Sequence, residues 1–167
     1  MLKAKHRIRH LFRENPVTGL LIEESFREVL AHDWSIAARE KASLALISFS
    51  LNDFPEYLEV SGRHAADSCL RRVAQAVRDC LRRVSDAAAR VGVDNNTCIV
   101  VLSHFPSEVG VANFAARISV AVRELGLHHP RSRESKFVTV SYKKMSSQQV
   151  RARHQRQIST RHFALIY

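Results

Sequence analysis

Apolar residues along this chain alternate between helical spacing and strand-like runs. From Ile22, "IEESFREVLAHDWSIAAREK" sets Phe26, Val29, Leu30, Trp34 and Ala37 or Ala38 at helical spacing, which gathers them on one face of a helix. "SLALISFSL" (43–51) is instead a nearly continuous apolar run of strand length, as expected of a central strand covered on both faces. Helical spacing returns in "RHAADSCLRRVAQAVRDCLRRV", with Ala66, Cys69, Leu70, Val73, Val77, Cys80 and Leu81 on one side and Arg71, Arg72, Arg78, Arg82 and Arg83 on the rest. Two short strands, 87–93 and 98–102, joined by "DNN" read as a hairpin. Residues 109–124 form another amphipathic helix, "KFVTVSY" (136–142) another strand, and "QQVRARHQRQISTRHFALIY" a short basic helix with a closing strand. At the other end, residues 1–14 read as a basic lead-in helix that the turn "ENPVTG" stops, since Pro16 excludes a continuing helix and Gly19 eases the bend. This order predicts an α/β fold, a mixed sheet flanked by helices.

At 167 residues the chain fits one domain with a real core, assigned to 15–167 after the lead-in. No run approaches the roughly 18 apolar residues of a spanning helix, so no transmembrane segment is expected. The basic start has no apolar stretch of the kind a secretory signal carries, which makes a cytoplasmic location the default. Cys69, Cys80 and Cys98 lack C-x-x-C spacing and lie on apolar faces, as core residues do. His128 and His129 sit in a loop without acidic or Cys neighbours, and no metal site is read there. The formal net charge of +10 rests mostly on Arg, 20 of the 26 basic residues. That bias suits phosphate and guanine recognition, because the guanidinium fork makes paired hydrogen bonds that Lys cannot. A specific nucleic-acid binder is disfavoured by the aromatic content of 7% and the lack of a recognised RNA-binding motif.

Several segments in this order are similar to a known family. "NPVTGLLIEESF" resembles the opening D-x-L-T-G-L-x-N-R-R-x-F of GGDEF (diguanylate cyclase) domains, and the likeness runs on through "LALISFSLNDF", "GRHAADSCLRRVAQAVRDCLRRVSDAAARVG", "FAARISVAV" and "VTVSY". The resemblance implies a five-stranded central sheet of the nucleotidyl cyclase type. It also implies an ancestral reaction that joins two GTP molecules into cyclic di-GMP across a dimer. That chemistry needs carboxylates on Mg²⁺ and glycines that let backbone approach phosphate. Here the family's D-x-D-x-F-K reads "SLNDFP", so Ser50 and Asn52 replace the two Asp residues and Pro55 the Lys. The guanine-reading Asn and Asp fall at Leu58 and Asp67, and the signature G-G-D/E-E-F reads "GVDNN", keeping Gly92 and Asp94 but neither the second glycine nor the second acid. The hairpin there is also about two residues longer, so the register of Asp94 stays open. The usual Lys of the closing helix is missing as well. Loss of catalysis is the expectation, with no cofactor and no metal, and Ser50, Asn52, Asp67, Gly92 and Asp94 as relics.

Many family members carry a product-binding R-x-x-D just before the signature. Arg83, Val84, Ser85 and Asp86 fill it, Arg90 and Gly92 follow at the family spacing, and "AARIS" supplies Arg117 where the family places a further Arg. A guanidinium can pair with the O6 and N7 edge of guanine, and a carboxylate can accept from guanine N–H groups. Such roles require exposed side chains. The alternative for the pair is structural: Arg83 caps its helix and Asp86 shapes the turn. The expected function is a catalytically inactive GGDEF-like domain that binds cyclic di-GMP through Arg83, Asp86 and Arg117, with Arg90 secondary, and signals to a protein partner. This leaves room for a homodimer; the competing expectation is a ligand-free interaction or dimerisation module.

Overall fold

The computed structural model describes residues 13–92, 97–105 and 107–145. Its elements are β1 (Leu21–Ile22), α1 (Glu23–Glu40), β2 (Ala45–Leu51), α2 (Phe54–Cys80), β3 (Ala87–Val91), β4 (Cys98–Ser103), α3 (Glu108–Glu124) and β5 (Val140–Met145). They build a mixed sheet of five strands in the order β1-β3-β4-β2-β5. Only β1 with β3 is parallel; the other pairs are antiparallel.

Alternation along the strands divides the core between two faces. Ala45, Ile47, Phe49 and Leu51 of β2, with Ile99 and Val101 of β4, pack against apolar residues of α2 and α3 such as Leu70, Val73, Val77 and Ile118. The intervening Leu46, Val100 and Leu102 face Phe26, Ala37 and Trp34 of α1. Helices therefore cover both faces, which is why 43–51 reads as one apolar run.

Several boundaries differ from the expectation. The unforeseen β1 follows Gly19, whose φ of +66° favours glycine, while the Arg78 guanidinium lies 2.9 Å from where a Cβ would stand and would have to shift. β3 stops at Val91, and the exposed Gly92 takes a φ of +76°. The strand expected at 136–142 begins only at Val140, because the chain before it closes on itself: Val138 N–H donates to Leu127 O and His129 N–H to Lys136 O. α2 begins at Phe54, earlier than expected, with Pro55 in its first turn, and is broken at Gly62, where φ is 78° and ψ 168°. Residues 1–12 of the expected lead-in helix, Asp94, and the closing helix and strand fall outside the described residues, and Arg13 and Glu14 are not helical, Glu14 bridging to Leu21 instead.

Candidate functional site

The stretch Arg83–Asp86 begins where α2 ends. Leu81 turns extended, and Asp86 N–H donates to Arg83 O at 3.0 Å, closing a tight turn that leads into β3. The Asp86 carboxylate points into this turn. Oδ2 accepts from the N–H groups of Arg82 (3.1 Å) and Arg83 (2.9 Å), and Oδ1 accepts from the Ser103 hydroxyl. Register explains that last contact: Ala87 pairs with Leu102, which brings the preceding Asp86 to the buried Ser103. Asp86 is only 5% exposed. The expectation of an exposed carboxylate is thus corrected: three donors hold it inward, where it fixes the turn.

Arg83 and Arg117 are exposed, as expected. The Arg83 guanidinium carbon lies 5.2 Å from the centroid of the Phe105 ring, and that of Arg117 lies 5.1 Å from Phe114. The two rings are themselves 5.1 Å apart. The tertiary fold thereby joins an arginine of the turn after α2 to one of α3 through a pair of phenylalanines. Arg117 also donates to Cys80 O at 2.9 Å, satisfying a carbonyl that the end of α2 leaves without a helical partner. Helix capping, considered for Arg83, is performed by Arg117, whose remaining guanidinium donors can serve another acceptor.

Arg90 stands apart from this pair. Its backbone pairs with Ile22 and Ile99 in the sheet, its terminal nitrogen donates to Thr97 Oγ1 at 3.4 Å, and its buried Nε has no hydrogen-bond partner among the described residues. Neither the phenylalanine pair nor Gly110, whose missing Cβ would stand 3.4 Å from Phe105 Cδ1, was singled out in the sequence. The one available signal was an aromatic residue soon after β4, too common to interpret alone.

At the cyclase positions, Ser50 is exposed on β2, while Asn52 is engaged: Nδ2 donates to Thr139 Oγ1 (3.0 Å) and Oδ1 accepts from Ser141 (2.7 Å). The neighbouring Asp53 caps a loop instead, accepting from Arg133 N–H at 2.8 Å. These groups do not fit a Mg²⁺ held by paired carboxylates, and among the described residues no three His, Cys, Asp or Glu side chains gather as a metal site. Asp67 is half-buried on α2, and Leu58 packs against the core.

His129 is buried at 2% exposure, its Nε2–H donating to Asp53 O (2.9 Å) and its Nδ1 accepting from Arg131 N–H (3.3 Å). Both ring nitrogens are used, so this is a structural imidazole. The Arg face of α2 is also partly occupied: Arg71, Arg72 and Arg78 donate to the carbonyls of Val17, Leu125 and Thr18. A cleft of about 320 Å³ between α1 and the Arg83–Asp86 turn has Leu20, Leu21, Val29 and Val84 among its walls.

Residues 15–162 match the family model described as "Diguanylate cyclase, GGDEF domain". The chain belongs to the GGDEF domain family. Solved GGDEF structures share its fold. The coiled coil and GGDEF domain of DgcB from Caulobacter crescentus, in complex with c-di-GMP, superposes with a TM-score of 0.70 at 18% identity, over 94% of this chain and 83% of that one. A sensory box/GGDEF family protein from the same organism gives 0.67 at 21% identity, over 87% and 95%. Diguanylate cyclase SiaD of Pseudomonas aeruginosa, in complex with its activator SiaC, gives 0.68 at 22% identity over 80% of this chain, which spans only 49% of SiaD. No curated protein matches the sequence of this GGDEF domain. Among its described residues no helix is long and apolar enough to cross a membrane.

Proposed function

We propose that this GGDEF domain is a catalytically inactive receptor for cyclic di-GMP that passes occupancy of its R-x-x-D site to a protein partner. The observation that carries the reading is the pairing of Arg83 and Arg117 over linked phenylalanine rings beside the turn that Asp86 fixes. Two exposed guanidinium groups offer paired donors to guanine O6 and N7 and to phosphate oxygens. Asp86 acts here by holding the turn, and the arginines make the ligand contacts. A ligand-bound GGDEF domain such as DgcB makes cyclic di-GMP the natural first ligand to test. Loss of catalysis is favoured by Ser50 and by an Asn52 amide committed to Thr139 and Ser141.

Calorimetry with cyclic di-GMP tests the reading. Arg83→Ala and Arg117→Ala should each weaken binding by about 30-fold or more, the consequence of losing a charged partner worth roughly 2–5 kcal/mol. Arg123→Ala, which removes an exposed charge from the same helix as Arg117, should leave affinity nearly unchanged. Cyclic di-AMP should bind far more weakly, because adenine presents an amino donor where guanine presents O6. With GTP and Mg²⁺ or Mn²⁺ the protein should form no cyclic di-GMP. Equal losses from Arg123→Ala and Arg83→Ala would mean that the ligand senses bulk charge only. An absence of binding would leave the protein-interaction module as the reading.

A further inference from the structure

We infer that Phe105 is a positioning residue of the ligand site: its ring seats the Arg83 guanidinium and, through Phe114, ties it to Arg117. This inference rests on the receptor reading above. An exposed Arg samples many rotamers, and a ligand that captures it must pay for ordering that side chain. Arg83 instead has a preferred resting place. A cation within about 6 Å of an aromatic centroid is attracted by the negative face of the ring, and Arg83 lies 5.2 Å from that of Phe105.

The ring under Arg83 is itself well seated. Phe105 packs against the main core and lies 5.1 Å from the buried Phe114, at an interplanar angle of 47°. Its other neighbour is Gly110 in the first turn of α3, where an added Cβ would stand 3.4 Å from Cδ1 and 3.8 Å from Cβ of Phe105. A Cβ at Gly110 would meet the ring in ordinary van der Waals contact, so the backbone of α3 already lies close against Phe105. Phe114 in turn carries Arg117 at 5.1 Å, and Arg117 is fixed a second time by its bond to Cys80 O. The row Arg83, Phe105, Phe114, Arg117 therefore holds two guanidinium groups in place for one ligand before that ligand arrives.

Titration calorimetry with cyclic di-GMP on the full chain provides the test. Phe105→Leu should weaken binding about 2- to 12-fold, the consequence of ordering one freed side chain, while Phe105→Tyr, which keeps the ring face, should bind like wild type. In an Arg83→Ala background, Phe105→Leu should have no further effect, because the residue it positions is gone. Without ligand, the Arg83 Nε–H resonance should carry a ring-current shift that Phe105→Leu removes and Phe105→Tyr retains. Should Phe105→Leu not fold, Phe105→Met, similar in bulk but without a ring, takes its place. Wild-type affinity in the Leu or Met variant, or an equal loss with and without Arg83, overturns the inference while leaving the receptor reading standing. Failure of the wild-type protein to bind cyclic di-GMP overturns the receptor reading itself, whereas the Nε–H comparison judges the Arg83–Phe105 contact independently of any ligand.

Discussion

Replacing Asp86 with Ala removes the acceptor for three donors at once: the N–H groups of Arg82 and Arg83 and the hydroxyl of Ser103. Each hydrogen bond to a charged group contributes about 1.5–3 kcal/mol, and a donor left buried without a partner costs about 1–3 kcal/mol. The losses do not add in full. Arg82 and Arg83 are exposed residues, so their N–H groups can regain water, whereas Ser103 at 1% exposure is more isolated. A net destabilisation of about 3 kcal/mol follows, a large part of the roughly 5–15 kcal/mol that holds a domain together. Urea unfolding followed by circular dichroism should show a lower midpoint with unchanged slope. Asp86→Asn should cost only about 1 kcal/mol, because its carbonyl oxygen can accept from both backbone N–H groups while its amide donates to Ser103 Oγ. Cyclic di-GMP affinity should follow the turn, falling strongly in the Ala variant and much less in the Asn variant. An Asp86→Ala protein whose stability stays within about 0.5 kcal/mol of wild type, but which has lost all binding, would refute this argument and restore a carboxylate that reads guanine directly.

Arg117→Ala should lower stability by about 1 kcal/mol in addition to its effect on binding, since Cys80 O loses its donor; an unchanged unfolding midpoint would deny the capping role. Gly62→Ala should cost about 1–3 kcal/mol through backbone strain alone, for φ is +78° with ψ 168°, a region open essentially to glycine, and nothing lies within 4 Å of the added Cβ. A Gly62→Ala protein more stable than wild type would contradict that break in α2. Burial pushes the Cys69 thiol up to about 11, against the opposing pull of Arg72. The unfolded thiol ionises first, so this contribution is fully present below the ordinary thiol range near pH 8.5 and is lost as pH rises towards 11, by roughly 3 kcal/mol. Urea midpoints of wild type and Cys69→Ala across pH 8–11 should converge if this is so; parallel curves would show that Cys69 does not report the change.

Elements that repeat a period over many residues were legible without the tertiary structure. The continuous run at 43–51 suited a strand covered on both faces by its length and composition, and α1 and α3 were legible because their apolar residues recur every three or four positions. Family spacing singled out Arg83, Asp86 and Arg117, and of these the fold leaves Arg83 and Arg117 exposed. Short-range and contact-dependent features were not. β1 is a strand only because Leu21 and Ile22 meet Ala89 and Arg90, a pairing across many residues that local pattern does not encode. The segment before β5 has strand-like composition, yet its own hydrogen bonds to Leu127 and His129 divert it. The orientation of Asp86 was decided in the same way. R-x-x-D spacing is equally compatible with a carboxylate facing solvent or facing the turn, and hairpin register brought Ser103 to it and turned it inward. The phenylalanine row was also tertiary, since Phe105 and Arg83 share no period with Phe114 and Arg117 and meet them only because the segments following α2 and β4 converge on the middle of α3.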